Sequence, residues 1–353
     1  MSTASDPFKI VVHNPLGMEP RSLAAIQDAA PKAQLVHVTT QDLAAELIDA
    51  QVFFGYCDPA VFAQAQHLQW IQTSSAGLDT ILTPALIQRG LLVTNASGVH
   101  APQMAEAAWA MTLSLIRCLP LYSRQQREHD WEWGPIDCLT GSTAGIIGLG
   151  GTGRRFAHIA AAFGMHILAV DPHEPPRPTC VESIWGLERL DELIAASKVL
   201  LVACPYTSDT HHLLNAARLR RMPADAVLVN IARGDIIDQN ALIETLQSGH
   251  LLGAGLDVTE VEPLPQDSPL WDLPNLVLTP HCAGASPHRN RRVTGLFCEN
   301  LRRYQTGAVL LNLVDQQRGY PIPTPDLDRE PWDWMLEPAG TTQIAGDGSP
   351  HPS

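Results

Sequence analysis

Ala144-Gly145-Ile146-Ile147-Gly148-Leu149-Gly150-Gly151-Thr152-Gly153 decides the fold. An apolar run of strand length, Ala144–Leu149, leads into a G-x-G-x-x-G spacing, and a helix is predicted from about Thr152 to Phe163. The glycines have separate tasks in such a strand–turn–helix. Gly148 permits the tight turn, Gly150 lets the backbone approach a pyrophosphate, and Gly153 allows close helix–strand packing. The helix start offers its unpaired N–H groups to phosphate oxygens. Asp171 follows the next apolar run, Ile167–Val170, 18 residues after Gly153. A carboxylate there takes the adenosine ribose hydroxyls and repels a 2′-phosphate, so the spacing predicts NAD in preference to NADP. Arg177, in the Pro172–Pro178 stretch, opposes that preference. The competing reading is a glycine turn in an α/β protein that binds nothing.

Outward from this motif, further apolar runs occur at Val199–Ala203, Ala226–Ile231, Gly253–Val258 and Leu276–Thr279, most of them separated by helical stretches. Strands apolar throughout and alternating with helices predict a parallel sheet covered on both faces. Towards the N-terminus the pattern is a smaller α/β unit. Strands are predicted at Phe8–Val12, Gln34–Val38, Gln51–Gly55 and Leu91–Thr94, with a helix over Asp42–Asp49. A helix starting near Pro102 carries its apolar face through Ala107, Met111 and Leu115 to about Leu119. A long Arg-rich helix is predicted over 289–306. The tail, residues 321–353, is rich in Pro, Gly and Asp and is expected to be disordered, although Trp332 and Trp334 offer it two docking side chains.

The chain has 353 residues, which suits about two domains, and 45% of them are hydrophobic. A net charge of −14 argues against a nucleic-acid partner. Seven cysteines, an odd count without C-x-x-C spacing, point to reduced thiols and no metal site. The first nine residues lack an apolar signal core, and no run reaches the roughly 18 apolar residues of a membrane span. These features predict a soluble cytoplasmic protein.

Three polar residues fall just beyond the later strands, at the carboxyl edge where open α/β sheets bind ligands. Arg233 lies in Asn230-Ile231-Ala232-Arg233-Gly234-Asp235, Glu262 in Leu256-Asp257-Val258-Thr259-Glu260-Val261-Glu262-Pro263-Leu264, and His281 in Leu278-Thr279-Pro280-His281. Hydride transfer to a 2-keto acid needs this set. A guanidinium binds the carboxylate bidentately and polarises the carbonyl. A histidine gives the proton that the reduced oxygen takes up, or removes it in oxidation. A carboxylate holds the imidazole. Pattern alone does not separate Glu262 from Glu260, and any one His among 14 has a structural role as its competing reading.

At these residues the chain resembles the D-isomer-specific 2-hydroxyacid dehydrogenase family over roughly residues 50–320. The shared motifs run in order: Gln72-Thr73-Ser74-Ser75-Ala76-Gly77-Leu78-Asp79, Asn95-Ala96-Ser97-Gly98-Val99, Met104-Ala105-Glu106, the glycine loop, Asn230–Asp238, Leu256–Leu264 and Thr279–Ser286. The resemblance implies that Arg233, Glu262 and His281 are catalytic. It implies that Ser74, Ser75, Ala76 and Gly77, with Arg233 and His281, hold the substrate, its carboxylate resting on backbone N–H groups of the loop. Cofactor contacts carried over are Gly148, Gly150, Gly151, Thr152 and Gly153 at the pyrophosphate, and Asp171 and Pro172 at the adenosine. Cys204, Pro205 and Thr210 lie over the adenine side. Ile231, Ala232, Arg233 and Asp257, with His281, Ala283 and Gly284, lie on the nicotinamide side, where Asp257 holds the carboxamide.

The implied fold is two Rossmann-like domains. The cofactor domain, 101–289, is doubly wound, and the smaller flavodoxin-like substrate domain combines 1–100 with 290–320. The cleft between them closes by hinge motion. Members are usually homodimers, with the helix near Ala101–Leu119 at the interface. The formate dehydrogenase branch has Gln where this chain has Glu262, and the phosphite dehydrogenase branch has a Lys in the substrate loop, which Gln72–Asp79 lacks. Tyr56, His100, Trp131 and Trp133 are candidate pocket residues, with core packing as the alternative. A rival reading, motivated by the acidic tail, resembles the family's corepressors, which bind NAD(H) but act by recruiting partners.

Overall fold

The computed structural model describes residues 7–14, 17–173 and 175–321. The acidic tail lies outside the described residues beyond Pro321. Two parallel sheets organise the chain. The first contains β1 (Lys9–His13), β2 (Gln34–His37), β3 (Val52–Gly55), β4 (Trp70–Thr73) and β5 (Leu92–Thr94) in the order β2-β1-β3-β4-β5. Its connections include α1 (Pro20–Ala29), α2 (Leu43–Leu47) and α3 (Pro84–Gln88). The order is flavodoxin-like, with its reversal between β1 and β3.

After β5 the chain enters α4 (Ala101–Ile116), turns at Cys118, whose φ is 56°, and continues in α5 (Leu119–Glu128). The second sheet comprises β6 (Thr143–Ile147), β7 (His166–Val170), β8 (Ser183–Trp185), β9 (Val199–Val202), β10 (Val227–Asn230), β11 (Gly253–Leu256) and β12 (Leu276–Leu278). Its order is β12-β11-β10-β9-β6-β7-β8. The helices between these strands are α6 (Gly151–Ala162), α7 (Leu190–Ala196), α8 (Ala216–Leu219) and α9 (Gln239–Gln247). All its pairings are parallel, and the order reverses between β6 and β9, so their carboxyl ends open a crevice.

Each sheet is buried on both faces. The α4 side chains Ala105, Ala108, Trp109, Met111 and Leu115 pack on one face of the second sheet, with Phe156 of α6 stacked on Trp109 at 4.4 Å. The last helix among the described residues, α10 (Arg289–Thr306), returns to the first sheet. There Phe297 stacks on Phe54 of β3 at 4.2 Å, and Val293, Leu296 and Leu301 complete the contact. Burying Phe297 contributes about 2–3 kcal/mol of apolar transfer. A short hairpin, β13 (Val314–Asp315) with β14 (Tyr320–Pro321), ends the described chain.

The strand Trp70–Thr73 is absent from the sequence-based expectations. It has no apolar–polar alternation because both its faces are buried. Its polar Gln72 is paired, with Oε1 accepting from Thr94 Oγ1 at 2.7 Å and Asn300 Nδ2 at 3.0 Å. The three-residue edge strand β8 is equally silent in the sequence.

Candidate active site

Arg233, Glu262 and His281 stand on the loops after β10, β11 and β12, at the carboxyl edge of the second sheet. Asn230, at the end of β10, shapes the first loop. Its Oδ1 accepts the Ala232 N–H at 3.0 Å and its Nδ2 donates to the Arg233 carbonyl at 2.8 Å. The Arg233 side chain then crosses towards the first sheet. Nη2 and Nε donate to Asp79 Oδ1 at 3.1 and 3.3 Å, and Nη1 donates to the Ala232 carbonyl at 2.8 Å. The guanidinium packs against Gly77, where a Cβ would stand 1.6 Å from Nη2. Only glycine leaves room for that approach.

His281 has φ of 50°, in the left-handed region that non-glycine residues adopt only occasionally. Asp257 over-determines this backbone. The Asp257 carbonyl accepts the His281 N–H at 2.8 Å. The buried Asp257 carboxylate takes the Thr279 hydroxyl, the Cys282 N–H at 2.9 Å and the Ala283 N–H at 2.9 Å. Asp257, expected at a carboxamide, thus spends three acceptor sites on the histidine loop.

The imidazole Nδ1 lies 2.7 Å from Glu262 Oε2, and Glu262 Oε1 accepts the Thr259 N–H at 3.1 Å. An ionised carboxylate only accepts, so Nδ1 carries the proton and Nε2 remains for a ligand. Both side chains are open to the cleft, His281 at 49% and Glu262 at 36% exposure. Glu260 turns elsewhere, accepting from His212 Nε2 at 2.9 Å and the Gln239 N–H at 3.0 Å. Tertiary contact thus separates two glutamates that spacing leaves equivalent.

The loop Ser74–Leu78 faces this group from the first sheet. Asn95 Nδ2 donates to the Ala76 carbonyl at 2.6 Å, and the Ala96 N–H donates to the Ser75 carbonyl at 2.9 Å. Its carbonyls are therefore occupied, whereas the Ser75, Ala76 and Gly77 N–H groups have no acceptor among the described residues. Such a row of donors suits a carboxylate.

The glycine loop fits a dinucleotide pyrophosphate. Gly148 has φ of 92°, and a Cβ there would stand 2.7 Å from the Cys204 backbone across the sheet's reversal point. A Cβ on Gly153 would meet the Gly148 carbonyl at 2.3 Å, whereas one on Gly150 would meet nothing within 4 Å. Among the described residues no side chain caps α6 and no acid lies in its first turn, so its initial N–H groups, Gly151 and Thr152 included, are open to an anion. Asp171 closes the far side, its Oδ2 accepting the Leu149 N–H at 2.9 Å and its Oδ1 the His173 N–H at 3.0 Å. Pro172 is exposed beside it. Arg177 is turned to the Val181 and Glu182 carbonyls, away from Asp171's partners.

The loop after β9 is self-braced. Thr210 Oγ1 donates to the Pro205 carbonyl at 3.0 Å and accepts the Thr207 N–H at 2.7 Å, and Cys204 sits at the reversal point. Ile231 and Ala283 are buried, with Ala232 and Gly284 partly exposed near the catalytic loops. Of the four pocket candidates, His100 is buried, Tyr56 is exposed, and Trp131 and Trp133 are 95% and 88% exposed on the loop after α5.

Sequence reasoning misses two site features. Asp79 closes one of the family motifs without a role, and only tertiary contact gives it Arg233 as partner. Tyr320 of β14 reaches the loop after β7, its hydroxyl 2.8 Å from His173 Nε2, two residues beyond Asp171. No local pattern announces either contact.

Residues 109–283 match the family model described as D-isomer specific 2-hydroxyacid dehydrogenase, NAD binding domain. A glyoxylate reductase of Korarchaeum cryptofilum is 37% identical over 268 residues, covering 74% of this chain and 80% of the relative. Among solved structures, a D-isomer specific 2-hydroxyacid dehydrogenase family protein from Aeromonas salmonicida superposes with a TM-score of 0.76. It is 32% identical and covers 88% of this chain and 99% of its own. A D-isomer specific 2-hydroxyacid dehydrogenase from Xanthobacter autotrophicus, solved with NADPH and MES, gives a TM-score of 0.75 at 30% identity, covering 89% and 99%. The chain therefore belongs to the D-isomer specific 2-hydroxyacid dehydrogenase family and is an enzyme of that class. Among the described residues, no helix is long and apolar enough to cross a membrane.

Proposed function

We propose that this enzyme reduces glyoxylate or a similarly small 2-keto acid with NADH, using Arg233, Glu262 and His281. The observation that carries this reading is the 2.7 Å His281–Glu262 contact on a loop facing the Arg233 guanidinium's cleft. The glyoxylate reductase name of a 37% identical relative supports the substrate class.

In this mechanism the substrate carboxylate rests on the Ser75–Gly77 N–H groups and on Arg233, which also polarises the C2 carbonyl. A nicotinamide cofactor held by the glycine loop and Asp171 would supply the hydride that C2 takes up, or accept it in oxidation. His281 Nε2 delivers the proton that the C2 oxygen takes up. Glu262 holds the ring by Nδ1. Gly148 to Gly153 cradle the pyrophosphate, and Asp171 takes the adenosine ribose, favouring NADH over NADPH. Residues 101–289 act as the cofactor domain. Residues 1–100 with 290–320 form the substrate domain, and closure between the two excludes water. The enzyme acts as a homodimer through the α4 face and the following segment, where Leu119, Trp131, Trp133 and Ile136 are exposed.

His281→Ala tests the assignment. Turnover of glyoxylate with NADH should fall by about 10²–10⁴ while NADH binding, read by fluorescence titration, persists. Wild-type turnover in this variant would remove His281 from the mechanism.

A further inference from the structure

Arg289, the first residue of α10, lies on the substrate side of the cleft, outside the catalytic set. Its side chain is half-buried, and Nη2 donates to the Ser74 carbonyl at 3.3 Å. Ser74 opens the same loop whose other end, Gly77, meets Arg233. The three peptide links between those two residues span at most about 11 Å. Two guanidinium groups thus flank one short loop of free N–H donors.

Arg233 has Asp79 as counter-charge. Among the described residues Arg289 has no carboxylate within ion-pair distance, and burial alone holds its pKa below the usual arginine value. It stays charged nonetheless. Its surroundings do not neutralise it. Arg292, one turn on, donates to Gln103 Oε1 at 2.8 Å and also lacks a carboxylate among the described residues. His100 hydrogen-bonds the Ser74 backbone. Burial, reinforced by the Arg289 charge, pushes its pKa down to about 4, so it is neutral near pH 7. A partly desolvated guanidinium without a counter-ion costs free energy until an anion completes the pair.

We propose that Arg289 is a specificity-determining residue that binds a second anionic group, carboxylate or phosphate, on the side chain of the 2-keto acid. The preferred substrates are then dianions, held by Arg233 at C1 and by Arg289 at the far end. This rests on the proposed keto-acid reduction at the same cleft.

The test compares kcat/KM within two matched pairs, using the full chain and NADH. Oxaloacetate is set against 2-ketobutyrate for a carboxylate, and 3-phosphohydroxypyruvate against hydroxypyruvate for a phosphate. At least one pair should favour the dianion by about tenfold or more, and the pair that does so identifies the anion. Arg289→Gln should collapse that ratio, and Arg289→Lys, which keeps the charge but not the fork, should retain more of it than Arg289→Gln. If Arg289 merely pins Ser74, Arg289→Gln lowers both members alike and the ratio stands, which overturns the proposal. Ratios near one in the wild type overturn it too. Calorimetric titration of D-malate and D-2-hydroxybutyrate into the NADH-saturated protein reads the carboxylate preference without turnover. A protein that binds the dianion selectively but reduces no keto acid, glyoxylate included, would keep the anion site and sink the proposed reaction.

Discussion

Arg233 and Asp79 join the two sheets through one carboxylate oxygen, which receives Nη2 at 3.1 Å and Nε at 3.3 Å. The guanidinium comes from the loop after β10 and the carboxylate from the loop after β4. Both are partly exposed, at 30% and 36%, so the pair adds about 1 kcal/mol or less to stability. Its consequence is geometric, because it fixes the angle at which the fork meets the cleft.

Asp79→Ala should therefore cost little in thermal stability and about tenfold or more in kcat/KM for glyoxylate. Asp79→Asn, which keeps an acceptor oxygen, should recover part of that loss. Steady-state kinetics beside a melting curve checks this, and equal rates in Asp79→Ala and wild type would leave Asp79 without a positioning role.

The glycine loop offers a paired test of folding against binding. A methyl on Gly153 meets the Gly148 carbonyl at 2.3 Å, so Gly153→Ala should destabilise the fold by about 1–3 kcal/mol. Gly150→Ala meets nothing, and its φ of −73° suits any residue. That variant should melt within about 2 °C of wild type yet bind NADH about tenfold or more weakly, because the methyl enters the space kept for the pyrophosphate. Unchanged NADH affinity in Gly150→Ala would place the dinucleotide elsewhere.

Asp171→Ala should narrow the preference for NADH over NADPH by about tenfold or more, since the charge opposing a 2′-phosphate is lost. Asp171 also holds the Leu149 and His173 N–H groups, so absolute rates will drop with either cofactor. The ratio of the two kcat/KM values is the measurement that isolates the ribose role.

His100 gives the fold a pH dependence of definite sign. Its pKa falls from the ordinary histidine value of 6.5 to about 4, first through burial and then through Arg289. The unfolded chain binds this proton more readily, so stability is full above pH 6.5 and declines as pH falls towards 4. The total loss is about 3 kcal/mol. Urea unfolding between about pH 7 and 5 should show a smaller slope of stability against pH in His100→Gln. Identical slopes would mean that His100 is solvated in the folded protein.

Much of this architecture is legible in local sequence. The second sheet announces itself because its strands are apolar throughout and separated by helices, and the 289–306 helix matches its element residue for residue. Gly153 is demanded by a contact within one strand–turn–helix and Gly148 by the positive φ of the turn, so spacing finds both, although the Cys204 backbone that also crowds Gly148 lies outside the motif. β4 stays hidden because Gln72 looks exposed until Thr94 and Asn300 are brought to it.

The sequence by itself determined the parallel α/β class, the glycine turn, and the placing of Arg233, Glu262 and His281 just past strand ends. Periodicity and turn chemistry act over a few residues and can be read there. Tertiary structure alone chose Glu262 over Glu260 for His281, gave Asp79 to Arg233, and left Arg289 without a carboxylate among the described residues beside Ser74. These pairings join loops 19 to 215 residues apart. Charge and hydrogen bonding fall off over a few ångströms of space and carry no record along the chain.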